Sequence, residues 1–182
     1  MSDPWTELER LRAHLWMRLA RGAAEPRDPF RFVALATSGA DGAEARMVGL
    51  RRASAAARIV EIHTDPRTAK IAALRRDPRG ALLFWDPDTQ EQLRLSVQFE
   101  IAFAPEDRWA KVPEAARLNY GTDPAPGTPL SEPEDLRRTP DIARFAALPG
   151  EVTRMDAVSL AHDPHRRAVF DGPDLTGRWV AP

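Results

Sequence analysis

From Leu93 to Phe103, the apolar residues Leu93, Leu95, Val97, Phe99, Ile101 and Phe103 alternate with Arg94, Ser96, Gln98, Glu100 and Ala102. A side-chain period of two belongs to an extended strand with one face in a core and the other face polar. So long an alternating run does not fit a helix, and it commits the chain to a sheet-based architecture.

The flanking segments agree. Phe30 to Ser38 and Glu44 to Arg52 read as strands around a Gly39-Ala40-Asp41-Gly42 hairpin turn, and Arg58 to Thr64 reads as a third strand. Asp65 is placed to cap a helix whose first residue is Pro66, and Asp77-Pro78 stops it. Ala81 to Trp85 is apolar on both faces and reads as a buried strand. Trp5, Leu8, Leu11, Leu15 and Leu19 recur at helical spacing and predict an N-terminal helix over 5–21. A helix opens at Pro105-Glu106-Asp107. The stretch 121–133 carries four prolines and reads as a loop. A helix from Pro133 to Leu148 and strands over Val152–Ala161 and Ala168–Phe170 complete the reading. Hairpin-linked strands predominate and βαβ alternation is not sustained. The predicted fold is mainly β with packed helices, an antiparallel β-barrel forming one domain over 1–182.

Composition removes several function classes. There is no cysteine, which excludes disulfides, thiolate metal sites and cysteine catalysis. The net charge is −1, so no bulk attraction to nucleic acid is expected. The start Met1-Ser2-Asp3-Pro4-Trp5 lacks the charged and apolar regions of a leader, and no apolar run reaches membrane-spanning length. A cytoplasmic protein is expected. No G-x-G-x-x-G, Walker A, G-x-S-x-G or H-E-x-x-H motif is found, which argues against dinucleotide, P-loop and common hydrolase chemistry. His162-Asp163-Pro164-His165 lacks a third clustered ligand, so no metal site is expected.

What remains is a phosphate-binding pattern. Arg46 and Arg51 flank the strand Arg46-Met47-Val48-Gly49-Leu50-Arg51. Five positions apart on an unbulged strand, they point to opposite faces. A guanidinium can hold phosphate oxygens in a two-toothed grip. Downstream, Thr64-Asp65-Pro66-Arg67-Thr68-Ala69-Lys70 runs from a strand end into a helix N-terminus, where free N–H groups favour an anion. Lys70 is one of only two lysines beside 24 arginines. Gln92 offers a carboxamide that both donates and accepts, which suits the edge of a flavin ring, although its spacing alone reads more simply as part of a polar strand face in water. His165 and Arg167 are candidates for a pocket lining. Trp109 and Trp179 read as packing residues.

In order along the chain, these segments resemble the pyridoxamine 5′-phosphate oxidase-like, FMN-binding split-barrel family. Arg46-Met47-Val48-Gly49-Leu50-Arg51 is similar to that family's R-M-V-L-L-K strand, and His63-Thr64-Asp65 to its Y-T-N strand end. Thr68-Ala69-Lys70 is similar to S-R-K, Glu91-Gln92-Leu93-Arg94-Leu95 to R-Q-V-R-V, and His165-Arg166-Arg167-Ala168-Val169-Phe170 to H-D-R-I-V-F.

The resemblance implies a six-stranded split barrel that dimerises with FMN at the subunit interface. It implies that Arg46 and Lys70 hold the phosphate with Thr64 and Thr68 nearby, and that Met47, Val48 and Thr64 contact the ribityl chain or ring. Gln92 would hydrogen-bond the ring, and Arg167 would reach the flavin from the other subunit. Arg51 and His165 are the substrate-pocket candidates. Three departures stand out: Ala69 stands where S-R-K has its arginine, which removes one phosphate cation, Arg51 stands where the oxidase has lysine, and the oxidase's Y-F-x-x-R-P-x-x-S substrate segment cannot be placed around Trp109 to Arg117. The expectation is an FMN-dependent oxidoreductase of the oxidase-related type that does not oxidise pyridoxamine 5′-phosphate efficiently. The alternatives are a flavin-binding module without catalysis, or a split barrel that binds deazaflavin or haem.

Overall fold

The computed structural model describes residues 3–182; Met1 and Ser2, part of the leader reading above, lie outside the described residues. Its strands are β1 (Phe32–Gly39), β2 (Gly42–Ser54), β3 (Ile59–Thr64), β4 (Arg79–Asp86), β5 (Glu91–Phe99), β6 (Ala102–Phe103), β7 (Thr122–Asp123), β8 (Arg137–Arg138), β9 (Ala146–Ser159), β10 (Arg166–Asp171) and β11 (Thr176–Val180). The helices are α1 (Leu8–Ala24), α2 (Ala69–Arg76) and two single turns, α3 (Glu106–Trp109) and α4 (Glu114–Arg117). The main sheet runs β11-β10-β9-β3-β2-β1-β4-β5, and β5 pairs back onto β9. Six strands, β1 to β5 and β9, thereby close an antiparallel barrel.

Alternation decides what fills the barrel. On β5, Leu93, Leu95, Val97 and Phe99 are buried while Arg94 and Gln98 are exposed. Val33 and Leu35, Val48 and Leu50, Val60 and Ile62, and Leu82 and Phe84 supply the inward residues of the other strands. Leu11, Leu15 and Leu19 of α1 lie in the same core at no more than 1% exposure. Each such aliphatic side chain contributes about 1.5–3 kcal/mol by leaving water.

Several sequence expectations are corrected. The N-terminal helix starts at Leu8, after a 3₁₀ turn over Pro4–Thr6 that carries Trp5. The long strand breaks after Phe99, and only Ala102–Phe103 resumes pairing, on β9. The expected helix over 133–148 does not form. Pro133–Asp135 and Ile142–Arg144 are single 3₁₀ turns, and Ala146 to Leu148 are the first residues of β9, paired with Thr64 to Ile62. Pro140 removes a helical N–H midway, and β3 offers the apolar segment a sheet partner. Ala81 to Trp85 is not buried on both faces: Leu83 and Trp85 are each 43% exposed. β11 was not anticipated.

α1 is tied to the β4–β5 hairpin by buried charge. Arg18, 6% exposed, donates to Asp86 Oδ2 at 2.5 Å and to Glu91 Oε2 at 2.9 Å. Trp5 Nε1 donates to Glu91 Oε1 at 2.7 Å, and His14 Nε2 lies 3.1 Å from the same oxygen. Burial pushes both carboxyls up, but their hydrogen bonds and the neighbouring cations outweigh it, so each is more acidic than an ordinary carboxylate. Depressed folded pKa values give stability that is complete above the unfolded carboxylate range and is lost as pH falls through the folded values. The thermal midpoint should therefore hold between about pH 7 and pH 5 and drop progressively below about pH 4. A midpoint that stays level through that acid range, followed by circular dichroism, would show that the network does not couple to folding.

Candidate functional site

Arg46 pairs across the hairpin with Leu35, a fully buried inward residue, so its side chain turns to the core side at one end of the barrel. There its guanidinium donates to Thr37 Oγ1 at 2.7 Å and pairs with Glu44 Oε2 at 2.5 Å. β3 ends at buried Thr64, and the chain turns through 65–68 into α2. Lys70 on the first turn of α2 reaches back so that Nζ donates to Thr64 Oγ1 at 3.0 Å, and the Thr64 and Thr68 hydroxyls lie 3.4 Å apart. Burial lowers the Lys70 pKa, and the nearby charge of Arg46 lowers it further. Two cations held this close repel each other, and an anion between them relieves the cost.

The helix start differs from expectation in a way that helps this site. Asp65 does not cap α2. It accepts from Arg67 N at 2.8 Å and pairs with the Arg67 guanidinium at 2.6 Å, while Thr68 takes the cap position and the helix begins at Ala69. Pro66 therefore removes no donor from the first turn. The Thr68 side chain makes no capping bond, so free N–H groups remain at that end. Two cations, two hydroxyls and a helix N-terminus match a phosphomonoester. The residues present thus fit the phosphate of FMN, with one condition. Glu44 must release Arg46, and its side chain, 42% exposed, can swing into water.

The other cofactor candidates sit elsewhere. Val48 is buried with the core. Met47, 64% exposed, lies on the outer face of β2. Gln92 and Arg167 share that outer side of the sheet, since both pair with Val158 of β9. Arg167 is held there by Asp156 through two hydrogen bonds of 2.9 and 3.0 Å, and Arg94 donates to the same carboxylate at 2.6 Å. Among the described residues of one chain, no hydrogen bond joins Gln92 or Arg167 to the Arg46–Lys70 group.

Arg51 lines a cavity of about 550 Å³ between β2, β3 and the α3–α4 segment. A bulge between Leu50 and Arg52 breaks the strict alternation assumed for this strand. The Arg51 guanidinium folds over Gly49, where an added Cβ would lie 2.5 Å from it. Arg31, Arg52, Arg108 and Lys111 also line the cavity, with Glu61, His63 and Tyr120. Burial and the charge of Arg51 both lower the Arg31 pKa. Burial pushes the Tyr120 phenol up, moderated by Arg51. Trp109 packs against Tyr120 and Phe145, as expected.

His165 is not part of this cavity. It is exposed and lines a separate surface groove with Arg167 and Trp179, so one chain does not bring Arg51 and His165 together. Trp179, read as a packing residue, is 44% exposed. His162 bonds Ser159 and Asp3, a structural link between the N-terminus and the end of β9.

Sequence reasoning gave no site role to Arg31, Glu61, His63, Arg108 or Tyr120. Glu61 was the findable one, a carboxylate set among Ile59, Val60 and Ile62 of an apolar strand.

Residues 13–102 match the family model described as pyridoxamine 5′-phosphate oxidase, FMN-binding domain. This stretch contains the whole Arg46–Lys70 cradle. Residues 13–102 are an FMN-binding domain of the pyridoxamine 5′-phosphate oxidase family. The fold is similar to that of a pyridoxamine 5′-phosphate oxidase-related, FMN-binding protein from Nostoc punctiforme, at 21% identity and TM-score 0.77 with 100% of both chains covered. It is similar also to PhzG from Burkholderia lata, at 18% identity and TM-score 0.76, covering 100% of this chain and 98% of that one. General Stress Protein 26 from Bacillus anthracis is a more distant likeness, at 10% identity and TM-score 0.55, covering 79% of this chain and 93% of that one. At these identities the likenesses concern the split-barrel fold. No curated protein matches the chain in sequence. Among the described residues, no helix is long and apolar enough to cross a membrane.

Proposed function

We propose that this protein is an FMN-dependent oxidoreductase that works as a homodimer on a small anionic organic substrate. The observation that carries the reading is the convergence of Arg46, Thr64, Thr68 and Lys70 at the start of α2, inside a domain of an FMN-binding family. Bound FMN supplies two-electron chemistry, and the chain supplies binding, orientation and electrostatics. The cavity beside β3 supports the substrate class. Five cations line it against one carboxylate, and its size suits a small molecule. Arg51 standing in place of lysine supports a substrate other than pyridoxamine 5′-phosphate.

Two features support the dimer. The outer face of the barrel leaves Phe32, Met47, Leu83 and Trp85 between 43% and 64% exposed, a patch that a second copy would cover. Gln92 and Arg167 lie on that face, apart from the phosphate cradle of their own chain, so a partner subunit could bring them to it. The experiment is a titration of flavin-stripped protein with FMN, read by the visible spectrum and by sedimentation. A flavin spectrum, FMN fluorescence quenching and a dimer that FMN tightens are expected, the last by linkage. A haem or deazaflavin spectrum in the purified protein, or a monomer with and without FMN, would overturn the corresponding half of the reading.

A further inference from the structure

The cavity holds a group that neither flavin binding nor anion recognition requires. His63 and Glu61 are two positions apart on β3 and so share a face. His63 Nε2 lies 3.0 Å from Glu61 Oε1, and Glu61 is 2% exposed. The second Glu61 oxygen faces Arg108 Nε at 3.4 Å and Arg52 at 3.7 Å. Burial pushes the Glu61 carboxyl up, but the hydrogen bond and charge of His63 and the charge of Arg108 outweigh it, and the carboxyl ends below its ordinary value. An ionised Glu61 can only accept, so the proton of neutral His63 sits on Nε2 and the lone pair on Nδ1. The imidazole is held edge-on against Phe145, at 4.9 Å between centroids and 79° between planes. Its Nδ1 has no protein partner among the described residues, and the ring lines the cavity.

We infer that His63, oriented by Glu61, is the proton acceptor of this cavity, and that its ligand is an organic acid with an ionisable O–H or N–H that binds as the conjugate base. The inference rests on the cavity being the substrate site proposed above. In the step, the X–H bond of the ligand breaks and its electron pair stays on X. The proton forms a new N–H bond at Nδ1, and nothing is oxidised or reduced. Arg51 and Arg52 of β2, Arg31 before β1, Arg108 of α3 and Lys111 set five cations around the cavity, with the Glu61 carboxylate and a Tyr120 phenol that burial keeps neutral. Transfer from a neutral acid leaves the net charge of the cavity unchanged. The new anion then meets the arginines and the imidazolium meets Glu61. A carboxylate that orients a histidine base is a recurrent arrangement for this task.

The test uses the purified flavin-loaded protein and 4-nitrophenol, whose phenolate has its own visible band. Difference spectra over the neutral pH range should show it bound as phenolate where the free phenol is still protonated, an ionisation about tenfold more favourable than in water. His63→Gln should lose that gain. Glu61→Gln should raise the ionisation midpoint of the bound probe, and Glu61→Asp should restore part of it, a pattern that mere loss of packing does not produce. 4-Nitroanisole, which has no proton to give, should bind wild type and His63→Gln alike. Circular dichroism checks that each variant folds, and if Glu61→Gln does not, His63→Gln and Glu61→Asp decide. Failure of the probe to bind, binding as the neutral phenol, or an equal midpoint in His63→Gln overturns the inference. FMN uptake measured on the same samples reports separately on the flavoprotein reading.

Discussion

Replacing Arg18 with leucine should lower the unfolding free energy by about 3–5 kcal/mol, the cost of breaking a buried ion pair from one side. Leucine keeps the aliphatic packing of α1 and fits beside Phe30, over whose ring the guanidinium now sits at 4.6 Å. What it cannot replace is the charge shared by Asp86 and Glu91, which are 4% and 5% exposed. Without Arg18, Asp86 keeps, among the described residues, the backbone N–H groups of Asp88 and Thr89. Glu91 keeps Trp5, His14 and Thr89. Two neighbouring buried carboxylates must then protonate or draw in water, and either response costs free energy. Urea unfolding at neutral pH measures the loss. A second change, Glu91→Gln in the Arg18→Leu background, should recover part of it, because it removes one of the stranded charges. A loss below about 1 kcal/mol for Arg18→Leu would place the network among ion pairs that contribute little to stability. The same network fixes the start of β5, the residue before Gln92, so a softened network should also loosen whatever Gln92 holds.

The barrel was legible wherever local alternation determines the strand. β5 was read from its period, and β1 to β4 from hairpin turns and apolar runs. Reading failed where the partner is distant in sequence. Ala146-Ala147-Leu148 carries no signal that separates a helix end from a strand, and its pairing with Ile62 to Thr64 decides the matter. Asp65-Pro66 has the residues of a helix cap, but Arg67 captures the Asp65 carboxylate and the helix starts later. The grouping of Arg46, Thr64, Thr68 and Lys70 was readable because its parts are short-range: one strand residue, one strand end and one helix turn. The cavity was not, because Arg31, Glu61, Arg108 and Tyr120 come from four segments that meet only after the barrel closes.

Arg46→Ala should weaken FMN binding by about 1.5–3 kcal/mol, the range for a hydrogen bond to a charged group. That corresponds to a dissociation constant about ten- to more than a hundredfold higher. Two observations set the sign and the scale. Arg46 and Lys70 are near enough that the charge of Arg46 lowers the Lys70 pKa, which supports a phosphate shared by the two. Glu44 already occupies the Arg46 guanidinium at 2.5 Å, so part of the gain is spent on displacing it, and the lower half of the range is expected. Glu44→Gln should accordingly bind FMN more tightly than wild type, by less than Arg46→Ala loses. Riboflavin is the control, because it has the ring and ribityl chain but no phosphate. If Arg46 acts on the phosphate alone, wild type and Arg46→Ala bind riboflavin with the same affinity, and only FMN distinguishes them. Fluorescence quenching of each flavin by the two proteins makes the measurement. Equal FMN affinities would remove Arg46 from the site. A parallel loss of riboflavin binding would mean that the substitution disturbs the barrel end through Thr37 and the Leu35 carbonyl, both of which accept from the same guanidinium nitrogen.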